Sequence, residues 1–168
     1  ANEAFCLALA RAVGLDAADA EWRQANGRPY LLVTRYDRVA ADGEVRRLHQ
    51  EDFAQALGVP SNRKYAAEGG PVFRDCFSLL REAAARPVLE VLKLVDAAIF
   101  NVVIGNADAH AKNFSLLRQE DGGGSIALAP LYDLVGTVMW PELSPRFAMT
   151  FGGAGTLEQL EAKHFDRF

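Results

Sequence analysis

The sequence predicts an α+β domain that is mainly helical and carries small β-hairpins. Three observations predict it. Residues 88–104 carry apolar pairs at Val91/Leu92, Leu94/Val95, Ala98/Ile99 and Val102/Val103, the wide stripe of a mostly buried helix. Two short β-prone runs, 114–119 and 125–130, flank "DGGG" and read as a hairpin. The chain is 168 residues long with half of them apolar, the size and composition of one domain with a real core.

The remaining elements follow in order. Residues 3–13 place Phe5, Leu7, Leu9 and Val13 among alanines, a helix ended by Gly14. "RPYLLVTRYDRV" (28–39) is rich in β-formers and reads as one strand, with a turn at Asp42-Gly43. "HQEDFAQALG" (49–58) reads as a short helix stopped by Gly58 and Pro60, and 60–71 as a loop. A helix over 72–85 is cut by Pro87. After the hairpin, "RFAMTFGG" (146–153) reads as a further strand or extended segment and the last dozen residues as helical.

Composition excludes some functions. The formal net charge of −4 gives no general attraction to nucleic acid. No run is long and apolar enough to span a membrane, and no signal peptide is visible, so a cytoplasmic setting is expected. Cys6 and Cys76 stand in apolar helical surroundings and read as buried free thiols. His49 and His164 lack neighbours at metal-ligand spacing, so zinc is not expected.

The chemistry concentrates in "GNADAHAKN" (105–113), directly after the apolar helix. Asp108 and Asn113 form D-x-x-x-x-N, the spacing of protein-kinase catalytic loops. There the Asp accepts the proton of the attacking hydroxyl and the Asn holds magnesium. A second carboxylate is expected from the far end of the next hairpin, where "LYDLVG" supplies Asp133. Mg²⁺ favours one or two carboxylates together with phosphate oxygens, and Asn113 with Asp133 would make that partial shell.

"IGNADAHAKNFSLL" followed by "LAPLYDL" closely resembles the HipA family of serine/threonine kinases, the toxins of bacterial toxin–antitoxin pairs. "NEAFCLALARAVGL", "YLLVTRYDR" and "RLHQEDFAQALGVPSNRKYAAEGGP" agree in order, so the resemblance runs over nearly all of residues 1–168. It implies one domain, most of a kinase-like large lobe, and the cofactors ATP and Mg²⁺. It implies Asp108 as proton acceptor, Asn113 and Asp133 as magnesium ligands, and His110, Ala111, Lys112 and Tyr132 beside the nucleotide. Thr34, Arg35 and Tyr36 match the hinge that meets adenine, and Asp37 is expected at the ribose. The implied partners are a protein substrate, with an aminoacyl-tRNA synthetase as one candidate, and a HipB-like helix-turn-helix antitoxin. Operator DNA enters only through the antitoxin complex. No Lys precedes Lys64 and no Gly-rich loop precedes the hinge. The small lobe that would cradle the phosphates is therefore expected outside this chain, which alone is expected to fold without phosphorylating anything. Two other classes compete: a metal-dependent hydrolase built on Asp108, His110 and Asp133, and a non-catalytic module that holds antitoxin or DNA.

Overall fold

The computed structural model describes residues 1–120 and 123–168. Helix α1 (Asn2–Ala12) buries Cys6, Leu7 and Ala10. Strands β1 (Ala20–Ala25) and β2 (Arg28–Val33) pair antiparallel around Asn26 and Gly27. Both turn residues are left-handed, at φ 50° and 74°, as a two-residue hairpin turn requires. Most side chains of this hairpin are exposed on both faces. Strands β3 (Arg38–Ala41) and β4 (Glu44–Arg47) form a second hairpin through Asp42-Gly43.

The expected single strand over 28–39 is therefore two strands of different sheets. Thr34–Asp37 is the irregular link between them: the Thr34 N–H donates to the Asp19 carbonyl at 2.8 Å and the Leu48 N–H to the Asp37 carbonyl at 3.0 Å. The expected helix over 49–58 is also corrected. Gln50–Asp52 is strand β5, and only Phe53–Ala56 forms a helical turn, α2. A capping box explains the switch. The Gln55 N–H donates to the Asp52 carboxylate at 2.8 Å, and the Asp52 N–H donates to Gln55 Oε1 at 3.0 Å.

Helices α3 (Phe73–Ala83) and α4 (Pro87–Val103) pack together as expected. Helix α4 buries one face, not its whole circumference. Leu94, Ala97, Ala98 and Asn101 are covered, while Val88, Leu92 and Val103 lie in solvent. Strand β6 (Ser115–Arg118) sits between β5 and β7 (Ile126–Leu128) in an antiparallel sheet. Of the "DGGG" turn, Asp121 and Gly122 fall outside the described residues. Residues 146–153 hold the expected strand as β8 (Arg146–Phe151), and Gly152-Gly153 turns it into a partner strand, β9 (Ala154–Thr156). The chain closes on a short helix, α5 (Ala162–Asp166).

An aromatic spine runs through the core. Phe114 packs between Phe53 (6.0 Å between ring centroids) and Phe73 (6.3 Å). Phe168 meets Phe73 at 4.9 Å and stacks on Phe151 at 4.1 Å. Burying a ring of this size contributes roughly 1.5–3 kcal/mol, so the residue next to Asn113 is firmly anchored. Cys6 and Cys76 are free and buried, as read; burial pushes the Cys76 thiol up to about 12. Among the described residues no helix is long and apolar enough to cross a membrane.

Candidate active site

Helix α4 ends where Gly105 turns left-handed at φ 69°. A Cβ there would lie 2.6 Å from the Val138 methyls, so only glycine allows the chain this exit. Asn106 then ties the loop back. Its Nδ2 donates to Asn101 Oδ1 at 2.7 Å, and its Oδ1 accepts from the Asp108 N–H at 3.1 Å. Thr137 closes the other side: its hydroxyl donates to the Gly105 carbonyl at 3.0 Å and accepts from the Ala107 N–H at 2.8 Å. The Ala148 N–H of β8 donates to the Ala107 carbonyl at 2.7 Å. Ala107, Ala109 and Ala111 are buried, so small side chains let the loop lie flat on the core while Asp108 stays exposed.

One turn on, the Asn113 N–H donates to the His110 carbonyl at 2.9 Å and Asn113 Oδ1 accepts from the His110 N–H at 3.2 Å. That contact fixes the amide's orientation and turns Nδ2 toward Asp133, whose carboxylate accepts from it. Asp133 itself is exposed and left-handed at φ 54°, a conformation that costs a non-glycine residue of order 1 kcal/mol. Helix α1 holds this segment: the Gly136 N–H donates to Asn2 Oδ1 at 2.9 Å, and Glu3 meets the Asp133 backbone. The Glu3 carboxyl is raised by burial and by the Asp133 charge.

Tyr132 joins three parts of the chain. Its hydroxyl donates to the Lys112 carbonyl at 2.8 Å and shares a 2.6 Å bond with Ser115 Oγ, which accepts from Gln50 Nε2 at 3.1 Å. Its ring lies 6.4 Å from that of Tyr36, so the 34–37 link borders the end of the 105–113 loop. Burial raises the Tyr132 phenol and pushes that of Tyr36 up to about 12, so both stay protonated.

His110 is buried, and its Nδ1 has no hydrogen-bond partner among the described residues. Burial lowers its pKa; the Lys64 charge adds to that, and Asp108 opposes it. The Tyr65 ring meets the imidazole edge-on at 5.9 Å, and the Lys64 ammonium lies 4.7 Å above the Tyr65 ring. Tyr65 first, then the charges of Asp108 and Asp133, raise the Lys64 pKa. Lys64, to which the sequence assigns no role, thus stands where the fields of both carboxylates meet. Its loop lies far from 105–113 in sequence, and no local motif signals the meeting.

The other expected nucleotide residues fall as follows. Thr34 and Arg35 are exposed on the link. Asp37 is not presented as a free carboxylate. Arg35 donates to it at 2.7 and 2.6 Å and Arg38 at 2.6 Å, and only 1% of its side chain is accessible. The hydrogen bonds from Arg35, joined by those from Arg38, hold its pKa down at about 2 against the cost of burial. A ribose contact at Asp37 would have to displace a guanidinium.

The structure thus brings Asn113 and Asp133 together and gathers Asp108, His110 and Lys64 around the same loop. The family model described as the HipA-like C-terminal domain matches residues 1–168. The chain belongs to the HipA-like C-terminal domain family. It is 59% identical to "Putative kinase Y4mE" of Sinorhizobium fredii, over 99% of this chain and 39% of that protein. It is 32% identical to the serine/threonine-protein kinase toxin HipA of Shewanella oneidensis, over 88% of this chain and 36% of that protein. The chain therefore spans less than two fifths of the length of either relative. Among solved structures it is similar to HipA of Shewanella oneidensis in a complex with HipB and operator DNA. The TM-score is 0.88 at 29% identity, over 97% of this chain and 40% of that one. The kinase CtkA of Helicobacter pylori shares the fold alone, with TM-score 0.63 at 14% identity, over 86% of this chain and 47% of that one.

Protein kinases use magnesium, and the residues present can be tested against it. Among the described residues no group of three or more His, Cys, Asp or Glu is placed to hold a metal. The donor set is one carboxylate, Asp133, and one amide, Asn113, already in contact. That is too little for a resident ion and the right kind of partial shell for magnesium that arrives with phosphate oxygens.

Proposed function

We propose that the protein containing this chain transfers the γ-phosphoryl group of ATP to a Ser or Thr hydroxyl of another protein. The observation that carries this reading is the contact of Asn113 with Asp133 at the end of a loop that leaves Asp108 exposed. Asp108 accepts the hydroxyl proton as the oxygen attacks. The new O–P bond forms, the bond from the γ-phosphorus to the bridging oxygen breaks, and ADP leaves with that oxygen. Asn113 and Asp133 would hold magnesium, which when bound neutralises charge on the phosphates. The Lys64 ammonium is available to the transferring group, and burial, which lowers the His110 pKa, favours the neutral imidazole. Tyr36 and the 34–37 link border the adenine side.

The activity belongs to the whole protein, as does the proposed setting. The relatives carry kinase names, and the similar solved chain is a HipA bound with HipB and operator DNA. A HipB-like antitoxin, DNA reached through that antitoxin, and a cytoplasmic location go with the same reading. The test is Asp133→Asn in the full-length protein. Its affinity for ATP in magnesium, measured by titration calorimetry, is expected to fall at least about tenfold, with a smaller change in EDTA. Equal affinities for variant and parent in magnesium would remove Asp133 from the metal side and the reading with it.

A further inference from the structure

A cavity of about 430 Å³ opens beside Asp108, which lines it; Asn113 and Asp133 do not. Tyr65, Ala67 and Glu68 form one wall, and Leu143, Arg146 and Phe147 the other. Its volume and mostly apolar lining are those of a side-chain or small-ligand pocket. Both walls are built, not draped. The Glu68 and Gly70 N–H groups both donate to the Tyr65 carbonyl at 2.9 Å. A Cβ on Gly70 would lie 2.4 Å from the Arg63 carbonyl oxygen, so this turn is closed as tightly as glycine permits. Opposite, β8 is fixed to the loop through Ala148 and Ala107 at 2.7 Å. Two exposed charges of opposite sign, Glu68 and Arg146, stand on different segments of the lining. Neither Glu68 nor the Arg146 guanidinium has an ion-pair partner among the described residues.

We propose that this cavity holds the acceptor protein's segment. An apolar side chain next to the phosphorylated Ser or Thr enters between Tyr65 and Phe147, and an acidic residue of the same segment pairs with Arg146. This rests on the phosphoryl-transfer reading of Asp108. An acceptor hydroxyl must come within hydrogen-bond reach of that carboxylate. Because Asp108 stands at the cavity's rim, the residues flanking such a hydroxyl cover the cavity. The apolar lining rewards an apolar flank and penalises a polar one. Glu68 repels an acidic residue from its own wall, so the charge pair also sets the direction in which the segment lies.

The test uses the full-length protein and synthetic Ser peptides that vary the flanking residue (Leu or Gly) and a nearby charge (Glu or Lys), with acceptor KM and ATP KM measured side by side. Arg146→Glu is expected to reverse the charge preference, raising the acceptor KM of Glu peptides about tenfold and lowering that of Lys peptides. Ala67→Trp, which fills the cavity from an exposed position, is expected to erase the preference for Leu over Gly. In both variants the ATP KM stays within about twofold, which separates the cavity from the nucleotide side. Unaltered flank and charge preferences in both variants overturn the proposal while leaving the kinase reading intact. Absence of transfer from ATP to any acceptor by the unaltered protein overturns both.

Discussion

At the scale of single residues, the acidic and amide groups of the site were legible because their order along the chain carries geometry. A helix, a polar loop, a hairpin and then an Asp place Asn113 against Asp133, and the structure has them in contact. Lys64 was not legible, since its placement comes from the fold of a distant loop against Tyr65 and His110. Lys64→Gln in the full-length protein is expected to lower kcat for phosphoryl transfer about 10²-fold with little change in ATP KM, because a cation aimed at developing charge acts in the transition state. Steady-state kinetics check it; an ATP KM effect alone would make Lys64 a ground-state ligand. Asp37 makes a separate, structural prediction. Its pKa falls from 3.8 to about 2 on folding, so its carboxylate stabilises the fold above pH 4 and loses that contribution as pH falls toward 2. Arg35 is 60% exposed and Arg38 35%, so solvent screening trims the effect to about 1–2 kcal/mol. Urea melts of Asp37→Asn should show that loss at pH 7 and a vanishing difference near pH 2.

Among the elements, α1, α3 and α4 were readable from period and stop signals, since each buries a face and ends at Gly or before Pro. The errors fell where local signals compete. Strand β1 is polar and exposed, so no alternation marks it, although Asn26-Gly27 was a usable hairpin sign. The 49–58 run carries a capping box, but the box starts only one helical turn because β6 claims Gln50–Asp52 by pairing. Helix α4 depends on a contact that periodicity hides. Glu90 is buried at 1% accessibility, pairs with Lys93 at 3.0 Å and accepts from the Leu128 N–H of β7 at 3.0 Å. Glu90→Ala strands that N–H and the Lys93 charge together, and is expected to cost about 2–4 kcal/mol in chemical denaturation. Glu90→Gln, which can still accept, should recover part of that loss. The hairpin that follows Asn113 and the helix that leads into the 105–113 loop would loosen together, so hydrogen exchange should quicken at both Leu128 and the 105–113 loop in Glu90→Ala.

Over the whole molecule, the α+β class, the kinase-like arrangement and the family were readable in the sequence, because the family segments recur in order along nearly the full chain. The sheet connections were not, since they depend on pairings between segments far apart, such as β5 with β6. What unites the molecule is a rigid core under a polar loop: the aromatic spine fixes Phe114, Gly105 and Thr137 fix the loop's entry, and α1 fixes Asp133. Such a frame suits a reaction in which positioning and charge stabilisation supply most of the acceleration. Asp108 is thus proposed as the base of a phosphoryl transfer whose nucleotide is held by other residues. The most direct test measures transfer of radiolabelled γ-phosphate to acceptor protein by the full-length protein and its Asp108→Asn variant, with Mg·ATP affinity measured on the same preparations. Transfer by the variant is expected to fall by about 10²–10⁴-fold while affinity changes little. Undiminished transfer by Asp108→Asn, or a loss of transfer explained wholly by lost nucleotide binding, would contradict it.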